Sequence, residues 1–109
     1  MAYDTELAER VGELLATTPD VTETRMFGGL AFLVRGHVAV TASGQGGLLV
    51  RIDPGRTDEL TGSDGVEVAV MRGRAMPGWL RVPSERLGTR RQLVRWIDLA
   101  LAHVATLPD

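Results

Sequence analysis

LAFLVRGHVAV, residues 30–40, is the stretch of sequence that decides the fold. Residues 30–34 and 38–40 are almost entirely apolar, as expected of buried strands, and Arg35-Gly36 between them has the length of a hairpin turn. Because parallel strands need a long crossover connection, a two-residue turn requires antiparallel pairing. This run therefore predicts a hairpin within an antiparallel sheet.

Other strands are predicted on both sides of this hairpin. Apolar residues alternate with other types along two downstream segments, as in strands with one buried face. Pro77-Gly78 is expected to be a loop that precedes the last strand. The predicted strands lie within residues 22–42, 48–52, 66–70 and 79–82.

Three helices are predicted. The first runs from about Asp4 to Ala16, with Asp4 as its N-cap. Asp53-Pro54 resembles a cap followed by proline at the first position of a short middle helix. The last helix begins after Thr89, which has capping-box spacing with Gln92. Its apolar stripe comprises Leu93, Trp96, Ile97, Ala100, Leu101 and Val104.

The order of these elements predicts the fold class. Short connections between strands require antiparallel neighbours, and the helices then pack as a second layer. We expect a two-layer α+β domain with a single antiparallel sheet of about five or six strands. The N-terminal, C-terminal and short middle helices lie on one face, and residues 1–109 form a single domain.

The composition excludes several classes of protein. A net charge of -2 gives no electrostatic footprint for nucleic acid. The absence of cysteine excludes a disulfide framework, a thiol nucleophile and a thiolate metal site. No apolar run has the length of a membrane span, and the acidic N-terminal residues do not fit a signal peptide. We therefore expect a cytoplasmic protein with no membrane partner.

Two segments of similar composition form a candidate site. Residues 25–32 (RMFGGLAF) and 72–79 (RGRAMPGW) both combine arginine, methionine, glycine and aromatic residues, and all twelve basic residues of the chain are arginine. Arginine matches the planar geometry of carboxylate and phosphate groups. The alternatives are surface ion pairs for the arginines and a bulge or tight strand connection for the glycines. The candidate anion or interaction site comprises Arg25, Gly28, Gly29, Arg72, Arg74 and Trp79.

The same segments resemble the N-terminal domain of the TfoX/Sxy family, bacterial regulators of natural competence. The matching residues are Met26-Phe27-Gly28-Gly29 with Leu30-Ala31-Phe32, and the run from Gly73 to Trp79. The resemblance covers nearly the whole chain and implies a stand-alone domain without the C-terminal domain of the full-length regulators. It also implies a role as a transcription co-regulator beside the cyclic-AMP receptor protein, and it supplies no catalytic residue.

Two functions are weighed. The first is a non-enzymatic regulatory or protein-interaction domain, with a component of the transcription machinery as partner and no direct sequence-specific DNA binding. The alternative is a small-ligand or anion-binding module that uses the Arg/Gly segments 25–29 and 72–79. No catalytic residue, metal ligand or cofactor site is predicted, because no pair of acids, nucleophile elbow or cluster of metal ligands is present.

Self-association is also predicted. Helices cover one face of the sheet, and the residues that alternate with the core positions belong to the other face. Tryptophan, methionine and arginine are enriched at protein interfaces. A homodimer that uses this face or a sheet edge is therefore expected, and the candidate dimer face comprises Leu49, Arg51, Met71, Trp79 and Arg81.

Overall fold

A computed structural model describes residues 3–26, 28–62 and 65–108 of the chain. Three α-helices and six strands follow one another along it. A 3-10 turn, Pro54–Arg56, leads directly into the middle helix, and a second one, Ser84–Arg86, precedes the last helix. The elements are α1 Thr5–Leu14, β1 Val21–Met26, β2 Gly29–Val34, β3 His37–Ala42, β4 Leu48–Arg51, α2 Thr57–Leu60, β5 Glu67–Met71, β6 Arg74–Val82 and α3 Arg90–Val104.

The strands form one antiparallel sheet in the order β1-β2-β3-β4-β6-β5. The predicted α+β class and the number of strands are thus confirmed. Helices α1 and α3 pack on one face, and α3 lies against the two central strands, β3 and β4. The fully buried side chains at their junction include Phe32, Val40, Leu48, Val50, Leu80, Val11 and Leu93.

The predicted helix caps are present. Asp4 accepts a hydrogen bond from the backbone N–H of Leu7, 3.1 Å away, and Asp53 accepts one from Gly55 at 2.9 Å. Thr89 and Gln92 form the reciprocal capping box, in which each side chain accepts from the other residue's backbone N–H. Within the described residues, no helix has the length and apolar character needed to cross a bilayer.

The last strand is longer than the sequence indicates. β6 begins at Arg74, before the Pro77-Gly78 pair that was expected to form a loop. The pairing with β5 shifts at this point, since Val68 faces Leu80 whereas Ala69 faces Met76. Gly78, at φ 87°, donates from its N–H to Thr57 Oγ1 and accepts at its carbonyl from the N–H of Ile52, at 3.0 and 2.8 Å. These long-range bonds hold the bulge within the strand, and local sequence does not encode them.

A second long-range contact ties the β2–β3 turn to the end of α3. Arg35 Nη2 donates to the carbonyl oxygen of Val104 at 2.7 Å, and both Nη atoms donate to that of Leu107 at 3.4 Å. His37 Nε2 lies 2.6 Å from the carbonyl oxygen of Pro108, which can only accept, so Nε2 carries the hydrogen. The Arg35 guanidinium and His37 thereby bond carbonyl groups at and just beyond the C-terminal end of α3, where the helix dipole favours positive charge such as that of Arg35.

The turns at Arg35-Gly36 and Arg72-Gly73 provide a matched pair for testing this contact. Both arginines have positive φ, 52° and 53°, and both are followed by a glycine of positive φ. Asparagine tolerates this conformation, so Arg→Asn removes the guanidinium group and keeps the turn. We expect Arg35→Asn to lower the free energy of unfolding by about 1.5–2 kcal/mol, because charge-assisted hydrogen bonds are lost.

Urea denaturation of the two variants measures this difference. Arg72 forms no hydrogen bond or ion pair within the described residues, so Arg72→Asn should leave the free energy of unfolding nearly unchanged. An equal loss in both variants would show that the turn conformation, and not the contact with α3, is the source of the stability.

Candidate functional site

The sheet is strongly curled, and a cavity lies on the face that the helices leave open. Met26 of β1 and Met71 of β5 line the same cavity, whose volume is about 370 Å³, although these strands are at opposite edges of the sheet. In a flat sheet, strands five positions apart are separated by roughly 24 Å. Curling therefore brings the ends of the two outer hairpins together. The described lining comprises Met26, Thr41, Ser43, Gln45, Leu49, Val70, Met71, Arg72 and Arg81.

The polar part of this cavity carries positive charge and hydroxyl groups. Arg72 and Arg81 supply two guanidinium groups, and no carboxylate or histidine is among the described lining residues. Arg81 Nη1 donates to Ser43 Oγ at 3.2 Å, which ties β6 to the β3–β4 loop. Glu67 is the cross-strand partner of Arg81, but the described residues include no ion pair between them.

The structure brings only part of the predicted anion site to the cavity. Arg72 lines it, whereas Arg25 pairs with Leu30, whose side chain packs on the core, and thus belongs to the helix-bearing face. Arg74 pairs with Met71 but is exposed outside the described lining. Sequence reasoning did not assign Ser43 or Gln45 to a site, because the β3–β4 loop is brought there only by tertiary folding. The Phe27 position of the first segment lies outside the described residues.

Gly28 and Gly29 serve close backbone packing. A Cβ atom on Gly29 would clash with the carbonyl oxygen of Ala42, and one on Gly44 would lie 2.6 Å from the carbonyl oxygen of Gly28. Gly28 also has a φ of 77°, a conformation that favours glycine. The pair thus agrees with the alternative interpretation from sequence, a tight connection between strands.

The residues of the candidate dimer face lie on the open face of the sheet. Leu49 pairs with Arg81, and Arg51 pairs with Trp79, so these four point to the same side. The Arg51 guanidinium lies 5.1 Å from the centre of the Trp79 ring, a cation–π distance. Met71 joins Leu49 and Arg81 in the cavity lining.

A second depression, between the 3-10 turn Pro54–Arg56 and α3, has a volume of about 270 Å³ and contains Asp53, Arg56 and His103. Its charged groups are already engaged. Asp53 caps the 3-10 turn, and Arg56 pairs with Glu59 through Nε–Oε1 and Nη2–Oε2 contacts of 3.1 and 3.2 Å. The hydrogen bond from Arg56 lowers the pKa of Glu59, and the same bond raises the pKa of Arg56. Among the described residues, no group of three or more His, Cys, Asp or Glu side chains is arranged to hold a metal ion.

Sheet, helices and cavity together define a two-layer α+β domain that keeps a concave, arginine-bearing sheet face uncovered. The chain belongs to the TfoX N-terminal domain family, whose model matches residues 13–104. The matched range contains every described residue of the cavity lining. No curated protein sequence and no solved structure matches the chain significantly. The family resemblance seen in the sequence is therefore confirmed.

One substitution at Gly29 tests the structural role of the Gly28-Gly29 pair, and one at Gly12 serves as a comparison. Gly29→Ala should lower the free energy of unfolding by about 1–3 kcal/mol, because the added methyl group meets the rigid backbone of Ala42. Gly12→Ala, inside α1, should raise it by about 0.5–1 kcal/mol, since its Cβ meets only Phe32 Cε2 at 3.8 Å. Thermal and urea denaturation compare them. A Gly29→Ala protein as stable as the wild type would argue against close packing at this site.

Proposed function

We propose that this TfoX N-terminal domain is a non-enzymatic regulatory domain that works by binding proteins, including a second copy of itself. The observation that carries the proposal is Val70. It is 57% exposed, and no other large hydrophobic residue in the described ranges is comparably exposed to solvent. It lies on the edge strand β5 and lines the cavity of the open face. With Met26, Leu49 and Met71 it forms the apolar part of the cavity lining, and a contiguous apolar patch of this kind is typical of interaction sites.

The two edges of the sheet differ in their protection against strand pairing. The edge strand β1 reads VTETRM and carries Glu23 and Arg25 in its middle, whereas β5 reads EVAVM and carries its only charge, Glu67, at one end. Charged residues on an edge strand discourage pairing with another chain, and an apolar edge allows it. β5 is therefore the edge that favours an intermolecular contact. Met71, at the end of β5, extends this apolar surface onto the open face.

The composition of the cavity supports binding over catalysis. Its described lining contains no histidine, aspartate or glutamate, the side chains that most often transfer protons in enzymes.

The exposed arginines of the first turns of α3, Arg90, Arg91 and Arg95, belong to a helix whose apolar stripe is buried. We therefore propose a protein partner, a component of the transcription machinery in the cytoplasm, and no direct sequence-specific DNA binding.

Light scattering over a dilution series tests self-association through β5. The wild-type chain should have a dimer mass at tens of micromolar. Val70→Glu should give a monomer, because a charge is placed in the apolar contact while an already exposed side chain is replaced. Ala102→Glu, an equal charge change on the exposed surface of α3, should leave the mass unchanged.

Two results would contradict the proposal. A wild-type monomer at these concentrations would remove the homodimer, and a dimer that survives Val70→Glu would place the contact elsewhere. The partner is tested separately by co-purification from the native host. If Val70→Glu and the wild type recover the same transcription proteins, the β5 edge is not their binding surface.

A further inference from the structure

The cavity on the open face has two chemically distinct sides. Arg72, Arg81, Thr41, Ser43 and Gln45 form the polar side. The apolar side is formed by Met26, Leu49, Val70 and Met71. Its volume, about 370 Å³, falls in the range of small-molecule sites, which are concave, largely apolar and carry a few placed polar groups.

The hydrogen bonds of Ser43 leave its hydroxyl hydrogen available to another acceptor. Its Oγ accepts from Arg81 Nη1 at 3.2 Å and from the backbone N–H of Gln45 at 3.1 Å. A hydroxyl group has two acceptor positions and one donor, so both acceptor positions are occupied and the O–H must donate to another group. Within the described residues, no protein acceptor receives this hydrogen. A hydroxyl hydrogen beside a guanidinium group is a site for an anionic acceptor.

Arg81 and Arg72 provide the charge. Arg81 is oriented by its bond to Ser43, and its guanidinium keeps further N–H donors. Arg72 stands at the tip of the β5–β6 hairpin with a φ of 53° and makes no hydrogen bond or ion pair within the described residues. No described carboxylate of the lining neutralises the two groups.

We propose that this cavity binds a small organic carboxylate that carries an apolar substituent of a few carbon atoms. The carboxylate accepts hydrogen bonds from Arg81, Arg72 and the Ser43 hydroxyl, and the apolar part lies against Leu49, Met26 and Met71. Inorganic phosphate has no apolar part and would leave these side chains in contact with water. The cavity shares Val70 and Met71 with the proposed β5 contact, but the carboxylate site rests on Arg72, Arg81 and Ser43, so the two proposals are tested separately.

Ligand titrations followed by two-dimensional ¹H–¹⁵N NMR test the proposal on the wild-type chain. Butanoate and hexanoate are the probes, with hexanol and inorganic phosphate as controls for the carboxylate and for the apolar part. We expect hexanoate to shift the amide signals of Ser43, Leu49 and Arg81 saturably. Each added methylene should tighten binding by up to about fourfold, the factor that corresponds to burying one CH₂ group.

Substitutions then separate cavity arginines from other arginines. Arg81→Gln should weaken hexanoate binding about tenfold or more, as expected from losing a charge-assisted hydrogen bond. Arg72→Asn keeps the turn and should also weaken it. Arg74→Gln, in the same hairpin but outside the described lining, and Arg25→Gln, on the opposite face, are the matched controls and should bind hexanoate as the wild type does.

Several outcomes would overturn the proposal. If hexanol binds as tightly as hexanoate, the site does not recognise the carboxylate. If inorganic phosphate binds as tightly, the site does not recognise the apolar part. If Arg81→Gln binds hexanoate as tightly as the wild type, or if only amide signals of other regions shift, the binding site lies elsewhere. The mass of each sample is recorded by light scattering. A chain that is monomeric yet binds hexanoate contradicts only the homodimer, and a dimer that binds no probe contradicts only the ligand site.

Discussion

The packing of α3 on β3 and β4 determines which surfaces of this domain are buried and which are left open. The stripe of Leu93, Trp96, Ile97, Ala100 and Val104 is buried, and full burial of one such large apolar side chain contributes about 1.5–3 kcal/mol. Because α3 lies on the two central strands and α1 packs beside it, the helical layer is confined to a single face. The opposite face must then be closed by curvature of the sheet or by another molecule, and curvature closes only part of it.

Elements with local signals could be predicted from the sequence. Asp4, Asp53 and Thr89 are caps whose chemistry acts within three residues, and Arg35-Gly36 is a turn fixed by its own backbone conformation. The strand at Pro77-Gly78 could not be predicted in this way. Both residues favour turns, and the bonds that keep Gly78 in the sheet come from Thr57 and Ile52, which are distant in sequence.

The candidate site shows the same division. Alternation along the strands predicts that Leu49, Arg51 and Arg81 share a face, because that requires only a period of two and the correct register. Which arginines meet in the cavity depends on the curvature of the sheet and on the face of the strand to which each side chain points. Arg25 and Met26 are adjacent in sequence, yet they point to opposite faces, and only Met26 lines the cavity. Composition alone therefore identified the segments but not the members of the site.

The contact of the β2–β3 turn with the end of α3 has a practical consequence for attaching the protein to a surface. Arg35 and His37 hold the backbone of residues 104–108 at the turn end of β2 and β3, whereas Met26 and Ser43 of the cavity lie near the other end of these strands. A tag attached after the last described residue, Pro108, would project from the domain beside that turn. Immobilisation through such a tag would attach the domain at the strand ends opposite Met26 and Ser43, so a tag at this position suits surface-based measurements of binding to the cavity.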